Sequence, residues 1–149
     1  LMAVVLLEQS NAPVDLLKVI KMLLVHDIVE IDAGDTFAFA DQSNKAKDEA
    51  AAAERIFGLL PTDQRDEFMT LWQEFDARES AESHYANAMD RLMPVFHNMN
   101  NNGGSWAEHS VTRAQINKRL SPIDEGSHEI WQVVQKLLDN AERLGYLKP

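Results

Sequence analysis

The sequence predicts an all-α protein, a single helical bundle over residues 1–149. Three observations point there. Apolar residues recur at helical spacing along nearly the whole chain. No stretch alternates apolar and polar residues as a half-buried strand would. Helix start and stop residues stand at intervals that suit helices of ordinary length. A chain of this size can bury a real core as one domain.

Residues 1–8 read as the end of a first helix, punctuated by Ser10-Asn11-Ala12-Pro13. Asn11 suits an N-cap, Pro13 the first turn, and Asp15 the positive end of the next helix. That helix, 14–31, is apolar on most sides (Leu16, Leu17, Val19, Ile20, Leu23, Leu24, Ile28), so we expect it to be the central, buried one. Gly34 ends it, and residues 35–39 form a turn or loop. An alanine-rich helix over 44–58 stops at Gly58 and Pro61. Another, 62–78, carries Phe68, Leu71, Trp72 and Phe75 on one stripe. A third, 80–97, carries Tyr85, Ala88, Met89, Leu92 and Phe96. Residues 98–104 are a polar, glycine-containing loop. Ser105-Trp106-Ala107-Glu108 has capping-box spacing and opens a helix to residue 120. The last helix, about 125–144, carries Trp131, Val134, Leu138 and Ala141, with Gly145 at C′.

Composition narrows the function classes. Apolar residues at 45% and charged residues at 26% are a globular balance. A formal charge of −10 argues against a nucleic-acid polymer or an anionic membrane as partner. A single nucleotide stays open, because a divalent cation would reverse the local field. With no cysteine, thiolate metal sites and cysteine nucleophiles are excluded. A metal would therefore take nitrogen and oxygen donors, which favours Mn, Co, Ni, Fe, Zn or Mg. No membrane span is visible, since Lys18, Lys21 and the His26-Asp27 dyad interrupt the apolar stretches. The opening Leu1-Met2-Ala3-Val4-Val5-Leu6-Leu7 lacks the basic flank and cleavage site of a signal peptide. The expected location is the cytoplasm. The chain starts mid-pattern, and we expect it to be part of a longer sequence.

The dyad His26-Asp27 sits inside the apolar run Met22-Leu23-Leu24-Val25 and Ile28-Val29. Burying a carboxylate is costly unless it is paired or bound to a metal. Asp90 sits in a second helical stretch among Ala86, Met89, Met93 and Pro94. Together the three suggest a metal held between two helices. On a helix His26 and Glu30 are i, i+4 and share a face, while Asp27 points about 100° from His26. Glu30 would then lie one turn on, where it could orient or deprotonate a water. Pro94 has no N–H for the Asp90 carbonyl, so the helix should kink there. Asp35 follows the helix end and can reach over the site to accept a hydrogen bond from a substrate hydroxyl. Asp32 reads as a turn residue. The bland alternative is a satisfied polar pair in a core, with Asp90 paired locally to Arg91. His109 reads as structural, and His84, His97 and His128 as surface or interface residues. Trp72, Trp106 and Trp131 read as core or dimer contacts, and Glu74, Asp76, Glu79 and Glu82 as a solvated acidic face.

The string His26-Asp27-Ile28-Val29-Glu30-Ile31-Asp32-Ala33-Gly34-Asp35, with Asp90-Arg91-Leu92 later, resembles the signature of HD-domain metal-dependent phosphohydrolases. Within them it is most similar to the small branch typified by 5′-deoxynucleotidases. Trp72-Gln73-Glu74-Phe75 and Ser105-Trp106 add to the likeness, which covers nearly the whole chain. The resemblance implies one divalent metal on His26, Asp27 and Asp90, which match the second, third and fourth ligands of the pattern His … His-Asp … Asp. It implies a catalytic role for Glu30 and a place near the sugar for Asp35. It also implies hydrolysis of a (deoxy)nucleoside 5′-monophosphate to nucleoside and phosphate, and a homodimer. The pattern's first histidine and an upstream arginine have no counterpart before His26, and we expect them in residues preceding Leu1. The Gly-Tyr-Pro signature of the cyclic-dinucleotide branch is absent. The competing class is a helical interaction or nucleotide-binding module that keeps the fold without turnover.

Overall fold

A computed structural model describes residues 1–34 and 45–149. Among these residues every regular element is helical, and the sole extended pairing is an isolated bridge between Thr112 and Lys148. The helices are α1 (Met2–Val5), α2 (Leu16–Val25), α3 (Glu30–Ala33), α4 (Lys45–Phe57), α5 (Thr62–Ala77), α6 (Ala81–Asn100), α7 (Gly104–Glu108), α8 (Arg113–Leu120), α9 (Pro122–Gly126) and α10 (His128–Arg143). A 3-10 turn, Leu7–Gln9, follows α1. The all-α expectation is borne out.

The central helix is α6, not the one predicted over 14–31. Tyr85, Ala86, Ala88, Met89, Leu92 and Val95 on α6 are buried, and α2, α5 and α9 pack around it. The α2 helix buries Val19, Met22 and Val25 but leaves Leu17 62% and Leu24 69% exposed. Its sequence is apolar on more faces than the bundle covers. The close approach of α9 explains Gly126: a Cβ there would lie 2.4 Å from the His84 carbonyl oxygen and 2.7 Å from Ala88 Cβ. A smaller core of Val25, Val29, Ala52, Ala53 and Phe57 joins the end of α2 to α4. Burial pushes the Tyr85 phenol up to about 12, and its hydroxyl donates to the Ala3 carbonyl.

The predicted 14–31 helix is broken. After Val25 the hydrogen bonds tighten: Ile28 N–H donates to Val25 and Glu30 N–H to Asp27, both three residues back. The cause is local, because the His26 imidazole Nδ1 lies 3.0 Å from the Leu23 carbonyl. A continuing α-helix would offer that carbonyl to the Asp27 amide. Gly34, at φ +79°, closes the segment.

Other local expectations shift in the same way. Asp15, not Asn11, caps α2, accepting from Leu17 and Lys18 N–H. Asn11 donates to the Asp124 and Glu125 carbonyls and accepts from His128 N–H, tying the N-terminal loop to α9 and α10. The capping boxes stand at Ser80/Ser83 and Thr112/Gln115. Ser105 is already inside α7, which Gly103 starts at φ +91°. The helix expected up to residue 120 divides into α7 and α8, with Ser110 at φ +52° between them. The α6 helix runs through Pro94 and on to Asn100, three residues beyond the predicted end. At the C-terminus, Gly145 N–H bonds to Glu142 and Tyr146 N–H to Ala141, the Schellman arrangement expected of a glycine at C′.

Candidate metal centre

The break after Val25 and the middle of α6 meet at one point. His26 is the C-cap of α2, Asp27 is in the turn that follows, and Asp90 is at the midpoint of α6. One ligand atom from each lies within 4.8 Å of the other two. His26 Nε2 is 3.1 Å from Asp27 Oδ1 and 3.5 Å from Asp90 Oδ1. The imidazole is 11% exposed, the Asp90 side chain 34% and the Asp27 side chain 65%. The cluster is therefore open on the Asp27 side.

The imidazole is held from two directions. Nδ1 faces the Leu23 carbonyl, which can only accept, so Nδ1 carries the hydrogen and the lone pair stays on Nε2. The Phe75 ring of α5 packs against the imidazole with centroids 4.4 Å apart and planes tilted by 39°. Nε2 is buried without a hydrogen bond of acceptable geometry, although both carboxylates lie close. Proximity without alignment is the decisive feature. A buried nitrogen lone pair beside two anionic oxygens is the donor set that a divalent cation satisfies. Burial lowers the pKa of His26, but Asp90 and then Asp27 outweigh it and hold the imidazole above its ordinary value. Burial raises that of Asp90, and His26, then Arg91 and Arg119, bring the carboxyl below the usual range.

The remaining predicted residues fall differently. Glu30 opens α3 and is half-buried, but it is not one of the three converging donors. Asp35 lies outside the described residues. Asp32 pairs with Arg55 of α4 through both carboxylate oxygens, a structural use. His84 Nε2 faces the Arg78 carbonyl at 2.7 Å, and His128 Nδ1 faces Asp124 at 2.7 Å. The acidic run is not a purely solvated face. Glu74 pairs with Lys18 at 2.7 Å and accepts from Ser80, and Glu82 accepts from Asp15 N–H. Burial raises the Glu74 pKa, and Lys18 and Ser80 bring it below its ordinary value.

Three residues that the sequence reading left aside surround the cluster. Phe75 looked like core, and Arg91 like a local partner of Asp90. Arg91 does lie 3.8 Å from Asp90, but its Nη1 donates to Asn87 and its Nε is buried without a hydrogen-bond partner. Burial, then repulsion from Arg119, pulls the guanidinium down to about 10. Asn87 is 2% exposed. Its signal was available: a lone amide within Tyr85-Ala86-Asn87-Ala88-Met89, one turn before Asp90. A recess of about 320 Å³ continues along the same face of α6, lined by Met93, Pro94, His97, Asn101 and Ser105 among others.

A profile of the HD domain family matches residues 1–131. The human protein "5′-deoxynucleotidase HDDC2" is 36% identical over 75 residues, covering 48% of this chain and 36% of that protein. Its Bos taurus counterpart is 31% identical over 93 residues, covering 60% of this chain and 45% of that protein. The matches thus span less than half the length of these curated relatives. The crystal structure of a predicted metal-dependent phosphohydrolase from Magnetospirillum magnetotacticum MS-1 superposes with a TM-score of 0.95 at 49% identity, covering 99% of this chain and 75% of that one.

Proposed function

This chain belongs to the HD domain family, and on that premise we propose that it is a divalent-metal-dependent phosphohydrolase acting on the phosphomonoester of a small nucleotide. The proposed substrate is a (deoxy)nucleoside 5′-monophosphate, released as nucleoside and orthophosphate. The observation that carries this reading is His26 Nε2, buried and without a hydrogen-bond partner beside the Asp27 and Asp90 carboxylates. His26, Asp27 and Asp90 would hold the cation, and their one-nitrogen, two-oxygen set suits Mn, Co, Ni, Fe, Zn or Mg. When bound, the cation supplies a Lewis acid that offsets phosphate charge and makes water more acidic.

The protein's own residues do the rest. The Leu23 carbonyl keeps the imidazole in the tautomer that presents Nε2. Asp90, on the central helix, gives the site a rigid wall. Arg91 and Arg119 place positive charge behind Asp90 in a chain whose formal charge is −10. Glu30 is proposed to position water or to protonate the leaving oxygen. Asp35 is proposed to accept a hydrogen bond from the sugar. A cytoplasmic homodimer completes the proposal, checked by fractionation and light scattering.

The test is cation uptake together with phosphate release from deoxyribo- and ribonucleoside monophosphates. Uptake of one cation per chain with phosphate release supports the reading. Neither uptake nor release would sink it and leave a helical interaction or nucleotide-binding module.

A further inference from the structure

We infer that Asn87 is a positioning residue for the metal centre: it fixes Phe75 against the His26 imidazole and so sets the direction of Nε2. The inference rests on the reading of His26, Asp27 and Asp90 as cation donors.

Asn87 lies one turn before Asp90 on α6, buried among Tyr85, Ala86, Ala88 and Met89. Its Nδ2 donates to the Phe75 carbonyl at 2.8 Å and to the Ser83 carbonyl at 3.0 Å. Its Oδ1 accepts from Arg91 Nη1 at 2.5 Å. The amide can face only one way, because carbonyls cannot donate and a guanidinium cannot accept. The Ser83 bond stays within α6. The Phe75 bond crosses to the last turn of α5, where the helix leaves its final carbonyls without intrahelical partners.

That bond could be no more than a helix-end contact. Its second consequence follows from the ring on the same residue, which lies 4.4 Å from the imidazole. Leu23 sets which nitrogen of His26 faces the carboxylates, and Phe75 bounds the plane in which the ring lies. With Phe75 tied to α6 through Asn87, the imidazole and Asp90 share one frame, across 3.5 Å from Nε2 to Oδ1. Groups in direct contact with metal ligands commonly tune metal affinity by about 10- to 100-fold, and Asn87, acting through Phe75, is expected at the low end of that range.

The experiment uses the full chain and Co²⁺ alone as probe, titrated by calorimetry and visible absorption well below the melting temperature. The variants are Asn87→Leu, Phe75→Leu, the pair combined, and Phe75→Tyr, with Asn87→Ser standing in if Asn87→Leu does not fold. In the cation-free protein, NMR follows the His26 ring protons, which the Phe75 ring current displaces. Asn87→Leu and Phe75→Leu should each weaken Co²⁺ binding about tenfold and move the His26 signals in the same direction. The combined variant should be little worse than either, and Phe75→Tyr should stay near wild type. A lowered melting temperature with unchanged Co²⁺ affinity and unmoved His26 signals would overturn the inference, as would additive losses in the combined variant. If the wild type takes no Co²⁺, the metal reading fails, and the His26 signals still decide whether Asn87 sets the ring.

Discussion

Two polar sites on the same helix are built to opposite standards. Near its C-terminal end, Asn98 is 6% exposed and bonded through both of its side-chain polar atoms. Its Nδ2 donates to the Pro94 carbonyl, and its Oδ1 accepts from the Ser105 hydroxyl and the Trp106 N–H. Two turns earlier, Asp90 faces a buried imidazole nitrogen that has close carboxylates but no aligned hydrogen bond. A fold that gives both polar side-chain atoms of Asn98 aligned partners has the means to do the same at His26. Leaving the His26 nitrogen buried and unsatisfied costs stability, and such a cost is borne where a ligand offsets it. The difference separates a polar group used as mortar from polar groups kept for chemistry.

The comparison can be broken most sharply at Asp90. Asp90→Ala should abolish cation uptake and take phosphate release to background while the helical circular dichroism persists. Unchanged cation content would remove Asp90 from the site and make the two sites alike.

Asn98→Ala should do the converse. It removes the acceptor of the Ser105 hydroxyl and one of the two acceptors of the Trp106 N–H, which keeps the Gly103 carbonyl, and should destabilise the protein by about 1–2 kcal/mol in urea unfolding. Cation affinity should be unchanged. A loss of affinity equal to that of an Asp90 variant would show that Asn98 is no mere mortar.

A smaller effect is expected at Glu74, the neighbour of Phe75 on α5 and the ion-pair partner of Lys18. Its lowered pKa means that its stabilisation is present above its ordinary value of 4.5 and is lost as pH falls through the lower folded value. Lys18, whose pKa is raised from 10.5, keeps its share up to strongly alkaline pH. With Lys18 35% and Glu74 21% exposed, the pair is worth about 1 kcal/mol or less. Glu74→Gln should lower stability at neutral pH by about 1 kcal/mol or less, leave it unchanged well below the folded value, and so flatten the acid limb. An undiminished acid limb would assign it to Asp90. The smallest change is expected from Asp32→Ala, whose pair with Arg55 lies in solvent, read as the shift in the urea midpoint.

Much of the fold was legible because helical periodicity and its stops are local. The helices around Ala52, Leu71, Leu92 and Leu138 come within a few residues of the predicted bounds. Failures cluster where a side chain competes with the backbone. His26 takes the Leu23 carbonyl and breaks a helix that apolar spacing alone would continue. Asn11 looks like a cap, but it bonds to α9 and α10, more than a hundred residues away.

Residue order already carried the helical class, the oddity of a histidine–aspartate dyad in an apolar run, and the match of Asp90 to that dyad. These depend on residue type and on spacing along the chain. Tertiary structure alone decided that α6 is the centre, that Asp27 turns toward His26 on a broken helix, and that Phe75 and Asn87 frame the imidazole. Those outcomes depend on which surfaces meet across elements, and packing selects them by burial and hydrogen-bond completion. No period within a single helix records that selection.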